Sequence, residues 1–357
     1  MSRSCIFKGL LIVIAGLGFI LVGLLIYRTV LRETLRAETA ITTPNSIDQQ
    51  QQIVLGGVQQ SILIRGEDRS KPVLLWLHGG PGQPTMMLAH RYDHELIKHF
   101  VVVHWDQRGA GQSFASTLTP EQLTPEHLIN DTYELVSYLR KYFGVPKIYL
   151  IGHSWGSQLG ALTVARHPDL FYAYIGVAQA VSITDGYQHV YPELVARAQR
   201  AGNTNAVREL TQLGPPPYTT IEQLAVLGTW MAAFGGLSQQ PGRSLLEEAL
   251  LSPAYSLTDV VSYIQGASFS VHTLIDDLNQ INLLTQARQL DVPVYLFHGR
   301  HDLASPATIT ERYFQELEAP QGKHLIWFEE SAHTPPWEQP EQFNQAMQQV
   351  LSETWKP

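Results

Sequence analysis

The chain has 357 residues, 44% apolar and 16% charged, which is enough apolar material for a sizeable core and excludes a polar disordered chain. Lysine and arginine number 24 against 32 acids, a formal charge of -8, which argues against a broad electrostatic nucleic-acid binder. The single cysteine, Cys5, excludes an intrachain disulfide and a cysteine-built zinc site.

A short tail, residues 1–8, precedes an uncharged run at residues 9–27 that is bracketed by Lys8 and Arg28. As a helix this run spans roughly 28 Å, close to the thickness of a bilayer core. It is longer than the apolar region of a typical signal peptide, and no A-x-A cleavage site follows at once. An uncleaved membrane anchor is therefore expected. Basic residues lie on both sides, so the charge count does not orient it; the large domain is placed outside the cytoplasm. Residues 1–27 contain Arg3, Lys8 and no acid, so residues 28–357 carry 22 bases against 32 acids, or -10. Residues 28–52 read as a linker, ending in the polar stretch AETAITTPNSIDQQQQ.

The globular part is expected from residue 53. IVLGGVQQSILIRG reads as two short strands turning at Gly56-Gly57. Strand-like runs follow at 73–77, 100–104, 147–151 and 172–178. Between the second and third of these, Thr124-Pro125 starts a helix whose Leu128, Thr132, Leu135, Leu139 and Phe143 repeat at helical spacing. Strands alternating with helices imply a parallel sheet covered on both faces. The alternation stops at residues 182–288, which have no strong strand run. It resumes with strands at 292–297 and 325–328 and helices near 307–317 and 340–352. The chain thus divides into a core at 53–181, an inserted helical cap at 182–288 and a second core segment at 289–357.

Strand 147–151 runs into Gly152-His153-Ser154-Trp155-Gly156, a G-x-S-x-G sequence between a strand and a helix. The glycines permit a sharp turn that projects Ser154 as a nucleophile. A serine hydroxyl needs a base. His333, in the loop after strand 325–328, is the best placed of the 14 histidines. His153, His298 and His324 read as structural. Asp302, after strand 292–297, gives the order Ser, Asp, His and is favoured on topology over Glu329 or Glu330. His78-Gly79-Gly80-Pro81-Gly82 follows strand 73–77 and exposes backbone donors, so Gly80 and Trp155 N–H groups are the expected oxyanion hole. His94-Glu95-Leu96-Ile97-Lys98-His99 has one residue too many for H-E-x-x-H, so no metal site and no cofactor is expected.

HGGPG at 78–82, DQRGAGQS at 106–113, GHSWGS at 152–157 and GRHD at 299–302 together resemble the α/β-hydrolase superfamily, and within it the proline iminopeptidase type of serine aminopeptidase. The resemblance covers roughly residues 53–355, the cap matching least. It implies an α/β fold with a mostly parallel eight-stranded sheet and a helical cap, to which the anchor helix is added. It implies release of an N-terminal residue, often proline, from short peptides, with Ser154, His333 and Asp302 as the triad. Asp106 and Arg108 would then shape a bend beside the site, with Arg108 in a buried ion-pair network. The family binds the substrate ammonium with cap glutamates; Glu193, Glu209, Glu222, Glu247, Glu248, Asp259, Asp276 and Asp277 are the acids available here. An esterase or lipase-like enzyme is the alternative, its acyl chain lying along Tyr187, Tyr191, Trp230, Phe234 and Phe269. A ligand-binding homologue without activity is a third reading. The expected partners are a small peptide or ester and the membrane, with no nucleic acid.

Overall fold

The computed structural model describes residues 3–240 and 242–356; the side chains of residues 3–6 and 8–14, Cys5 among them, lie outside that description. A single helix, α1 (Arg3–Glu38), opens the chain, and its Ala15–Glu38 stretch is long and apolar enough to cross a membrane. It does not stop where the apolar run ends. Residues 28–38 continue the helix, with Arg28, Arg32 and Arg36 four apart on one face.

The expected linker is corrected by the next element. β1 (Ile47–Leu55) includes all four glutamines of the polar run and pairs antiparallel with β2 (Val58–Gly66) through a turn at Gly56-Gly57. The polar composition fits because β1 is the sheet's edge strand. Most of its side chains face solvent while its backbone satisfies β2. Gln49 and Gln51 also bond Tyr142 and Tyr138.

β3 (Val73–Leu77), β4 (Val101–Asp106), β5 (Ile148–His153), β6 (Phe171–Val177), β7 (Val294–Gly299) and β8 (Lys323–Phe328) complete an eight-stranded sheet in the order β1-β2-β4-β3-β5-β6-β7-β8. Only the β1–β2 and β2–β4 pairs are antiparallel. The central strands are buried along their whole length, as strands covered on both faces must be. Alternation sends Leu75 and Leu77 into one core, and Leu74 and Trp76 into the other.

The first core lies under α2 (Pro125–Phe143) and α3 (Trp155–Arg166), through Leu128, Leu135, Leu139 and Leu159. Thr124 caps α2 by accepting the His127 N–H, and Gly144 ends it at φ +67°, a left-handed conformation that favours glycine. The closing helix covers the other face with Phe343, Met347 and Val350.

Between β6 and β7 lie α4 (Ile183–Arg200), α5 (Thr204–Leu213), α6 (Ile221–Ala233), α7 (Leu245–Leu251) and α8 (Leu257–Gln280). This cap has its own core, built on Val190, Leu194, Leu210, Leu227 and Met231. α9 (Ala307–Glu316) follows β7, and α10 (Pro340–Thr354) is the closing helix.

Candidate active site

Ser154 sits at the junction of β5 and α3, at the carboxyl end of the sheet. Its backbone is at φ 55° and ψ -122°, a conformation that costs on the order of 1–3 kcal/mol and persists only where its surroundings impose it. They do so here. The Ser154 N–H donates to Val177 O at 3.0 Å, and Ser157 N–H donates to Ser154 O at 2.8 Å. The flanking glycines leave no alternative residue. A Cβ on Gly152 would stand 2.2 Å from Gly156 O, and one on Gly156 would stand 2.2 Å from Leu77 O. The turn is thereby pressed against the end of β3, which brings the glycine loop after β3 beside the serine. A Cβ on Gly79 would lie 3.0 Å from Ser154 Cβ.

His333 and Asp302 meet: Nδ1 donates to Oδ2 at 2.8 Å. The proton on Nδ1 leaves Nε2 as the basic nitrogen. Asp302 is buried, and its second oxygen accepts the Ala304 and Ser305 N–H groups at 2.8 and 2.9 Å. Burial pushes this carboxyl up, but the His333 charge and hydrogen bond, His298 and the Ser305 N–H outweigh it and hold the carboxyl below its ordinary range. Glu329 is taken by Arg300, at 2.9 and 2.7 Å, and is not the partner of His333. Among the described residues there is no hydrogen bond between Ser154 and His333; contacts of this kind tighten when substrate fills a site.

His153 does more than the packing role expected for it. Its Nε2–H donates to His333 O at 2.8 Å, and its ring lies tilted against the His333 ring with centroids 5.0 Å apart. Burial pushes its pKa down to about 3, so it stays neutral and acts as a brace. A second brace was not foreseen from sequence. Glu338 is buried, and one oxygen accepts the Ala332 N–H, the Thr334 N–H and the Thr334 hydroxyl at 3.0, 3.3 and 3.0 Å. The other accepts Ser238 Oγ–H at 2.9 Å and the Gln239 N–H. Glu338 thus ties the His333 loop to the cap, where the His333 N–H also donates to Leu237 O at 3.2 Å. The only sequence signal for it was a glutamate five residues after His333.

Neither the Gly80 nor the Trp155 N–H has a protein acceptor among the described residues. Trp155 is the first residue of α3, so its N–H has no intrahelical partner and lies at the positive end of the helix dipole. Gly80 is at φ +109°, and Gly82 faces α8 so closely that a Cβ there would lie 2.8 Å from Ser270 Cβ. Pro81 stands between them in the bend.

His78 fixes the base of this loop. It bonds Gly79 O through Nδ1 at 2.9 Å and accepts the Gln107 N–H on Nε2 at 3.1 Å. Burial takes its pKa down to about 4. Gln107, also missed from sequence, bridges His78 O and the Trp155 indole N–H at 3.0 and 3.3 Å.

Asp106 accepts Tyr255 O–H at 2.5 Å and Gln112 N–H at 2.9 Å, and burial pushes its pKa up to about 7. Arg108 forms a buried two-point pair with Asp131, both contacts at 2.7 Å, and donates to Leu55 O and Gly56 O. It joins the β1–β2 turn to α2.

Several cap acids have other work. Glu193 pairs with Arg197 and Arg200, Glu248 with Arg91, and Glu247 and Asp259 cap helices. Glu209 accepts from Trp230 at 3.1 Å. Glu222 and Asp276 are exposed on the cap surface, and Asp277, half-buried, has its carboxyl raised by burial and by Asp276. Of the aromatics assigned to an acyl channel, Tyr187, Tyr191, Trp230 and Phe234 pack into the cap's own core, and Phe269 packs on Phe114.

A family model described as alpha/beta hydrolase fold matches residues 72–340. The chain is 36% identical over 310 residues to a Bacillus subtilis protein named probable aminopeptidase YbaC, covering 85% of this chain and 96% of that one. It is 26% identical over 282 residues to a proline iminopeptidase of Heyndrickxia coagulans, covering 76% and 87% of the two chains. Among solved structures, a membrane phospholipase A superposes with a TM-score of 0.60 at 19% identity, over 99% of both chains. That last likeness is one of fold.

Proposed function

The chain belongs to the α/β hydrolase family, and on that premise we propose that it is a membrane-anchored serine hydrolase that removes N-terminal, proline-like residues from short peptides. The observation that carries the reading is the His333–Asp302 bond at 2.8 Å, set beside the strained Ser154 turn. The relative named as an aminopeptidase, aligned over 96% of its length, supports the substrate class.

In this mechanism Ser154 Oγ attacks the carbonyl carbon of the scissile bond while His333 Nε2 takes its proton. Asp302 holds the imidazole in the productive tautomer and stabilises the imidazolium that forms. The oxyanion accepts from the Gly80 and Trp155 N–H groups, each worth about 3–4 kcal/mol in sites of this kind. His333 returns the proton to the leaving amine. Water, deprotonated by His333, then releases the acyl group from Ser154.

A second reading, hydrolysis of acyl esters, is favoured by one observation. Glu193, Glu247, Glu248 and Asp259 are committed to arginines or helix caps and not to a substrate ammonium. The two readings separate on one substrate panel: prolyl-naphthylamide, its N-acetylated form and short p-nitrophenyl esters, each with wild type and Ser154→Ala. Preference for the free amine supports the aminopeptidase. Indifference to acetylation with faster ester turnover refutes it.

A further inference from the structure

α8 has two faces. Val260, Tyr263, Gly266, Ser270 and Leu274 are buried, and Gly266 and Ser270 rest on the glycine loop beside Ser154. On the outer face Leu257 is 43% exposed, and Val261 and Ile264 are each 53% exposed. These three lie four and three residues apart, so they form one apolar stripe about 10 Å long. Leu246 of α7 is exposed as well, at 41%. Further along α8 the exposed positions turn polar, at Ser268, His272 and Asp276. The apolar character is confined to the end of the helix that begins at Leu257.

That end is the one fastened to α1. Arg28 donates to Leu250 O and Tyr255 O at 2.7 and 3.1 Å, Arg32 to Ser252 O and Pro253 O at 2.8 and 3.1 Å, and Arg36 to Pro253 O at 3.2 Å. Arg28 is the first charge after the apolar run of α1, so in a membrane it marks the level at which the helix leaves the hydrocarbon. Tyr255, held by Arg28, is two residues before Leu257. The apolar run of α1 therefore ends at the carbonyls of residues 250–255, the segment that leads directly into the α8 stripe.

We propose that the Leu257–Val261–Ile264 face of α8 is a lipid-contacting surface, seated in the headgroup region of the bilayer that α1 spans. The proposal rests on the anchor reading of α1. Its occupant is the bilayer because the stripe begins two residues beyond the point at which the cap is fastened to the anchor, and fades into polar residues away from it. With the stripe in the interface, the inner face of the same helix packs on the glycine loop beside Ser154 and sets that loop close to the membrane.

The test uses the full chain carrying Cys5→Ser and Ile264→Cys, labelled with a polarity-sensitive fluorophore and placed in phosphatidylcholine vesicles with or without headgroup-level doxyl spin labels. Val261→Cys is a second probe and Gln348→Cys, exposed on α10, is the control. The expected result is at least a twofold loss of emission at positions 264 and 261 and no change at 348. A protein that floats with the vesicles but shows equal emission at all three positions overturns the lipid surface and leaves the anchor standing. A protein that does not float overturns both. Shielding of the stripe in detergent, with a doubled mass by light scattering, assigns it to a second copy and also overturns the proposal.

Discussion

Replacing Glu338 by glutamine tests whether the His333 loop is held by the cap. The carboxylate collects five donors: three from Ala332 and Thr334 on one oxygen, and two from Ser238 and Gln239 on the other. Glutamine keeps one oxygen and turns an NH2 group toward the other set. At least two buried donors then lose their acceptor, at about 1–3 kcal/mol each, so a loss of about 4 kcal/mol is expected. For a protein of this size that corresponds to a fall in Tm of roughly 5 °C. The Ala332–Thr334 turn also sets the position of His333, and a displacement of about 1 Å at a reacting group costs about 100-fold in rate. The assay is differential scanning fluorimetry together with kcat/KM. Glu329→Gln, an exposed acid paired with Arg300, serves as control and should change neither quantity. A Glu338→Gln protein with wild-type Tm and wild-type kcat/KM would refute the bracing role.

The other predictions follow from the same geometry. Asp302→Asn should lower kcat by about 10,000-fold with little change in KM, because the imidazole then takes the wrong tautomer; steady-state kinetics measure it. Arg108→Ala strips Asp131 of its buried partner and should cost about 3–5 kcal/mol in a urea titration. Stability should fall on acidification. Burial holds His78, and His90 in the buried segment between β3 and β4, at about 4 and His153 at about 3, below the ordinary histidine value, so between pH 6.5 and 4 the unfolded chain binds protons that the folded chain refuses. Their contribution is present above pH 6.5 and is lost as pH falls toward 4. Asp106, raised to about 7, acts in the opposite sense over this range, since the folded state binds its proton first. The histidines outnumber it, so the net slope should be on the order of 2 kcal/mol per pH unit. A Tm that rises between pH 6.5 and 4.5 would contradict this.

Residues governed by local patterns were legible in the sequence. The buried strands announce themselves as unbroken apolar runs, and Thr124-Pro125 marks the start of α2 within one residue. Ser154, Asp302 and His333 were readable as neighbours because each follows a strand of one parallel sheet, whose carboxyl ends share an edge. Residues whose role depends on a distant partner were not legible. Glu338 matters because cap residues 238 and 239 return to it across almost 100 positions of sequence. Gln107 matters because β3 and β4 end where α3 begins. The glutamines of β1 looked like a tether because an edge strand places no hydrophobic demand on its outer face. The arginines of α1 read in the sequence as flanking charges, because the carbonyls of residues 250–255 that they bond lie more than 200 positions away.

The central claim is that Ser154 is an activated nucleophile. Incubation of the full-length protein with a fluorophosphonate, followed by peptide mapping, tests it directly. The account predicts one adduct, on the peptide containing Ser154, absent in Ser154→Ala and strongly slowed in His333→Ala. A folded wild-type protein that takes up no probe, or takes it up at another residue, would contradict the account.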